Sequence, residues 1–293
     1  TNVAGGDWSV PANWLPNRVP NGTNTAMILS NGNYTVNINS PAAVSNLVVG
    51  FPANLGTQTV HIVSGSSLAL GGNSTFNTNS ILALNGTLQT AGGSNHIAGR
   101  IDWQLGTLSG AGRTVIATNA TLTFIGSLNQ KFVATNVLEN YGTFTYGNDS
   151  FGNAQGLRFS GGAQLTNHPS GVISIGTAAY EYSGAQTPRS YLVNRGTINA
   201  NSSGVFSPTY LSIDFLNYGT LQDNGYCYLS RGANYGTFGF GNTLCEVSVF
   251  GDERHVLASI AAGATGYLLR DTSAGEIVEM SRVLRAGGSP VSP

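Results

Sequence analysis

One short phrase keeps returning along this 293-residue chain: asparagine, none to three other residues, glycine, then as a rule threonine and an apolar residue. It reads Leu84-Asn85-Gly86-Thr87-Leu88, Asn140-Tyr141-Gly142-Thr143-Phe144 and Asn194-Arg195-Gly196-Thr197-Ile198. It returns as Asn217-Tyr218-Gly219-Thr220-Leu221 and Asn234-Tyr235-Gly236-Thr237-Phe238, with looser copies at Leu105-Gly106-Thr107-Leu108 and Asn167-His168-Pro169-Ser170-Gly171-Val172. From Asn140 through Asn167, Asn194 and Asn217 to Asn234 the steps in sequence number are 27, 27, 23 and 17. A phrase recurring at such intervals marks a solenoid in which each repeat is one coil.

Each position has a physical task under that reading. Identical asparagines stacked coil on coil can bond amide to amide, which nominates Asn85, Asn140, Asn167, Asn194, Asn217 and Asn234 as a ladder. Asn and Gly also tolerate left-handed backbone, so the glycine is expected to turn the corner at positive φ. Threonine and the apolar residue then restart a strand with alternate side chains directed inward. Independent Asn-Gly hairpins in an antiparallel sandwich are the competing arrangement. They give no reason for the phrase itself to recur. The expected fold is an all-β, single-stranded parallel β-helix.

Composition agrees. Only 9% of residues are charged, against about 25% in ordinary domains, and glycine is abundant at 40 residues. The net charge is −1 and Lys131 is the sole lysine. Without a basic stripe, a nucleic-acid or anionic-membrane partner is not expected. No apolar run approaches the roughly 20 residues of a membrane span. The chain opens at Thr1 without Met, read as an excised portion of a longer product. The separation of Cys227 and Cys245 in sequence nearly equals the local step from Asn217 to Asn234. One coil later means the adjacent strand, so a disulfide is expected, and with it an oxidising compartment.

Three regions follow. Residues 1–42 hold Trp8, Trp14, Pro11, Pro16, Pro20 and Pro41, suited to a cap over an open coil end, together with the first strands. Residues 43–250 carry the coils, with insertions at 148–156 and 177–190 expected to leave them as loops. Residues 251–293 hold nine of the 25 charged residues. Strands are expected there at Val256–Ile260, Gly266–Leu269 and Glu276–Val283, as a C-terminal cap or subunit contact ending in a flexible tail.

The opening Trp8-Ser9-Val10-Pro11-Ala12-Asn13-Trp14, then Val19-Pro20 and Thr25-Ala26-Met27-Ile28, resembles that of bacterial secreted β-helix and autotransporter-passenger proteins. The stretches Ile101–Gly112 and Ala117–Thr123 are similar to other phrases of that group. The resemblance spans most of residues 1–240. It implies a β-helix and secretion, but no activity, since such passengers include adhesins and matrix proteins.

Chemistry is sparse in the sequence. Asp102, Glu139, Asp149, Glu181, Asp214 and Asp223 are the carboxylates that could face one another across coils, as glycoside hydrolysis requires. None forms a local pair, so no catalytic residue is assigned. His61, His96, His168 and His255 stand apart without metal-ligand spacing, and neither metal nor cofactor is expected. Tyr141, Tyr146, Tyr180, Tyr182, Tyr191, Tyr210, Tyr218, Tyr226, Tyr228 and Tyr235 could supply a sugar-stacking strip. Threonine pairs at 57/59, 121/123 and 143/145 suggest an ice-binding array, but their unequal separations do not read as one coil each. The expected function is a secreted, non-enzymatic structural or adhesive solenoid that self-associates into a filament or layer, or contacts a cell surface or glycan. The alternative is a polysaccharide-binding or polysaccharide-degrading β-helix.

Overall fold

A computed structural model of the chain describes residues 4–51, 56–126, 131–146, 156–176, 180–182, 188–201, 209–223, 227–240, 245–247, 274–285 and 288. Its strands form a parallel β-solenoid. One typical coil runs through Ser80–Leu84, Thr87–Thr90 and Ser94–Ile97 before Arg100–Trp103 starts the next. Strands of the first kind stack into an 11-stranded sheet, here called the long sheet. The other two kinds form parallel ladders within an 18-stranded sheet. In the upper coils the strands Thr209–Asn217 and Cys227–Asn234 each run through both of those ladders. The single antiparallel contact among the described residues is an isolated bridge between Ser109 and Thr135.

Period-two patterning builds this shape. In Gln58–Ile62 and Ser80–Leu84 the burial alternates in step with the sequence, so Val60, Ile62, Leu82 and Leu84 are fully enclosed. Each such side chain contributes on the order of 1.5–3 kcal/mol on burial. Along the long sheet, Leu84, Trp103 and Phe124 occupy one inward column. The Trp103 and Phe124 rings meet edge to face at 5.4 Å, and Phe124 lies 5.2 Å from Tyr146. Lys131, wholly buried, sets its ammonium 5.0 Å from the centre of the Phe124 ring.

At the N-terminal end Gly6–Asp7 pairs with Val36–Asn37, adding a first strand to the long sheet. Trp8 and Trp14 are buried edge to face at 4.6 Å, and the Trp14 indole N–H donates to the Trp8 carbonyl at 2.8 Å. The ladders start ahead of residue 43, at Thr25–Ile28 and Tyr34–Ile38.

Three expectations need correction. Ala274–Arg285 is an α-helix, not a strand over 276–283. Ile277, Met280 and Leu284 recur at helical spacing, and that period outweighs the β-branched content. Of the corner glycines only Gly106 has the expected positive φ, at 96°; glycines 86, 142, 171, 196, 219 and 236 do not. They are glycines because coils touch: a Cβ on Gly219 or Gly236 would drive into the carbonyl oxygen of the glycine one coil below. Asn85, finally, does not join the asparagine ladder. Its phrase follows a long-sheet strand, whereas the later phrases precede one, so it lies at a different corner. Its side chain donates to Gln104 Oε1 at 3.1 Å instead.

The expected strands Val256–Ile260 and Gly266–Leu269 and, apart from Gly288, the tail lie outside the described residues, as do most of the two expected loop insertions.

Candidate functional site

The later copies of the phrase each place one residue inside the corner, one outside it, and a strand immediately beyond. The asparagines point inward. Asn140 donates to Asn167 Oδ1 at 2.8 Å, Asn167 to Asn194 at 2.8 Å, Asn194 to Asn217 at 2.7 Å, and Asn217 to Asn234 at 2.7 Å. The first four are fully buried. Each also reaches backbone carbonyls: Asn167 donates to Gly171 and Thr197, and Asn194 to Thr220. The ladder begins abruptly, because Asn140 stacks on Ile116. Its Oδ1 accordingly has no protein donor.

The next residue of the phrase points out. Tyr141, His168, Arg195, Tyr218 and Tyr235 follow the laddered asparagines one for one, and all five side chains are planar. Tyr141 and His168 stack at 3.8 Å with 7° between planes. The Arg195 guanidinium lies 4.8 Å over the Tyr218 ring, which stacks on Tyr235 at 5.0 Å. Stacking of this kind uses the faces of the rings and leaves their edges to solvent. Burial beside Tyr141 holds His168 below the usual imidazole pKa. Glu139 opposes that shift and Arg195 adds to it.

Past the corner glycine begins the outer surface of the long sheet. Thr121, Thr143, Val172, Thr197, Thr220 and Thr237 form one register-matched column. Two residues on, Thr123, Thr145, Ser174, Asn199, Gln222 and Gly239 form a second. No register shift interrupts either column. From Thr121 upward neither contains a charged residue; one coil below, the paired Arg100 and Asp102 continue the two columns in register. The spacing objection to a threonine array therefore fails: Thr121 and Thr123 pair directly with Thr143 and Thr145, so the step between those two pairs is one coil. The second column is nevertheless mixed above Thr145.

The expected tyrosine strip is not assembled as such. Tyr146 is buried, and Tyr191 lies on another ladder. Tyr141, Tyr218 and Tyr235 share the corner but spend ring faces on their neighbours. The side chains of Tyr180, Tyr182, Tyr210, Tyr226 and Tyr228 lie outside the described residues.

The carboxylates are dispersed. Asp102 pairs with Arg100 at 2.9 Å, Glu139 with Arg113 at 2.8 Å, and Asp214 with Arg189 at 3.7 Å. Asp223 is buried, and Asp149 and the side chain of Glu181 lie outside the described residues. Among the described residues no three His, Cys, Asp or Glu groups gather where a metal could be held. His61 contacts Asn37 at 3.3 Å, and His255 lies outside the described residues. Among those residues, too, no helix is long and apolar enough to cross a membrane.

Cys227 and Cys245 are direct register partners on adjacent strands. Their side chains lie outside the described residues, so the register alone bears on the expected disulfide.

The planar column was readable in the sequence but unread: the residue that follows each laddered Asn is Tyr, His, Arg, Tyr and Tyr in turn. Its absence from Asn85-Gly86 also marks the odd corner. No protein-family model, no curated protein and no solved structure matches this chain.

Proposed function

We propose that this protein is a secreted, non-enzymatic β-solenoid that adheres to extracellular material through the surface its repeated phrase creates. One observation carries the reading. The recurrent phrase builds, over five coils above that of Thr121, an uncharged face mostly of hydroxyls and amides, bordered by two stacked groups, Tyr141 with His168 and Arg195 with Tyr218 and Tyr235. Such a face offers many weak, equally spaced contacts and no reaction centre. The acidic side chains with described partners are engaged by arginines rather than by each other.

An extracellular setting accords with the low charge and the single lysine. The alignment of Cys227 with Cys245 supports it further, since paired strands lie about 4.8 Å apart, within the Cα range of a disulfide. Exchange with a disulfide donor would form the Cys227–Cys245 bond, reduce the donor to two thiols that take up both protons, and tie the coils of Cys227–Asn234 and Cys245–Val247 together.

The test is retention of the labelled chain on insoluble extracellular matrix or cell-wall material. Retention should fall in a Thr197→Glu/Thr220→Glu variant, with no soluble fragments released. Release of reducing ends in proportion to bound protein would overturn the non-enzymatic reading.

A further inference from the structure

We infer that the occupant of this face is a neutral, extended polysaccharide lying along the solenoid axis, each coil addressing one sugar. This deepens the adhesive reading and depends on it.

Spacing is the first ground. Thr197 pairs with Thr220, and Asn199 with Gln222, on hydrogen-bonded strands. Their donors and acceptors therefore repeat about every 4.8 Å along the axis and stand ~7 Å apart across it. An extended chain of 1,4-linked pyranoses repeats at a closely similar distance, with hydroxyls along both edges. Successive sugars can thus meet threonine hydroxyls at matched spacing over the coils of Thr197, Thr220 and Thr237, with Asn199 and Gln222 beside the first two, before the two repeats drift out of step.

Charge is the second. From Thr121 to Gly239 the two columns hold no ionic side chain. Arg195, the one cation on the bordering corner, sits over Tyr218. A uronate or phosphate polymer would find no cationic row to neutralise it, whereas a neutral glycan needs none.

Area decides against a second copy of the chain. Five coil steps of about 4.8 Å and a width of ~14 Å, corner included, give a face on the order of 350 Å². That is less than half of the roughly 800 Å² per partner typical of a stable complex. A glycan strand one sugar wide needs only the face it lies along, and an insoluble polymer presents that repeat at high effective concentration. The ring wall limits the mode of contact too. Tyr218, with Arg195 and Tyr235 on its ring, offers an edge and a hydroxyl, so recognition along the columns is by hydrogen bonds and threonine methyls rather than by sugar stacking.

The experiment is co-sedimentation of the purified chain with insoluble cellulose, chitin, β-1,3-glucan and mannan, and with insoluble pectate. Ice shaping and analytical ultracentrifugation are run alongside. The variant is Thr197→Glu/Thr220→Glu, and the control is Gln89→Glu, an exposed position on another ladder. Circular dichroism confirms that both are folded. Expected is retention by at least one neutral glycan, weakened roughly tenfold or more, about 1.4 kcal/mol, in the face variant and unchanged in the control. Soluble oligosaccharides should compete better than their monomers. Retention by pectate alone, by no glycan, or equally by the face variant would overturn the inference. So would face-dependent self-association or ice shaping without glycan retention, which would assign the surface to a second copy or to a water lattice. If matrix retention depends on the face while every purified glycan is silent, the adhesive reading stands and the glycan inference falls. If matrix retention is also absent, both fall.

Discussion

Replacing Asn194 by alanine probes the interior ladder at its centre. The wild-type side chain accepts from Asn167 at 2.8 Å, donates to Asn217 at 2.7 Å and donates to the Thr220 carbonyl at 3.0 Å. Truncation does not affect its two neighbours equally. Asn167 keeps its donations to the Gly171 and Thr197 carbonyls, so its amide hydrogens stay occupied. Asn217 Oδ1 loses its donor in a fully buried position. An orphaned buried acceptor costs about 1–3 kcal/mol, and two further lost hydrogen bonds add about 0.5–1.5 kcal/mol each. The expected destabilisation is therefore ~2–6 kcal/mol. Asn85→Ala, which removes one partly exposed bond to Gln104, should cost about 0.5–1 kcal/mol. Solenoids can unfold coil by coil, so the assay is amide hydrogen exchange at Arg195, Tyr218 and Tyr235 together with the urea midpoint. Equal, small effects at Asn194 and Asn85 would refute the ladder as a source of stability.

Other perturbations probe the remaining contacts. Gly219→Ala should destabilise by ~1–3 kcal/mol through overpacking against the Gly196 carbonyl. Gly92→Ala, with open space around it, should leave the thermal midpoint unchanged. His168 has a folded pKa below its unfolded value, so the unfolded chain binds the proton more readily. Its contribution is intact above the ordinary imidazole pKa of about 6.5 and declines as pH falls below it. The midpoint should drop on acidification, and His168→Gln should flatten that slope. A slope unaltered by the substitution would exclude His168 as its origin. Non-reducing peptide mapping should show Cys227 linked to Cys245. Reduction should lower the stability of the last coils by on the order of 3 kcal/mol, whereas two free thiols in protein purified under oxidising conditions would rule the link out.

Architecture was legible in the sequence because the repeat carries it: Asn140 to Asn234 recur at coil length, and the amide ladder they form needs little beyond that spacing. What was misread depended on information the phrase lacks. Asn85 shares the glycine, threonine and apolar residue of the phrase and lacks only the residue between asparagine and glycine, and which corner it occupies is set by counting strands around the coil. Gly219 and Gly236 read as backbone-conformation glycines, but the constraint is a carbonyl one coil away. The threonine columns were hidden by coil lengths that vary: the register step from Thr220 to Thr237 is short, and that from Thr143 to Val172 is long. The helix at Ala274–Arg285 was obscured by β-branched residues within a helical period. The outward face was the least legible part, since its chemistry lies in no single residue and exists only once coils are stacked.

Through-hydrogen-bond scalar couplings in the labelled protein test the stacking itself. The Arg195 N–H should couple to the Asn167 carbonyl, and the Tyr218 N–H to that of Asn194, bonds of 2.7 Å each between successive coils. Couplings that instead joined each segment to its sequence neighbour in antiparallel order would contradict the coil-on-coil arrangement and the surface built on it.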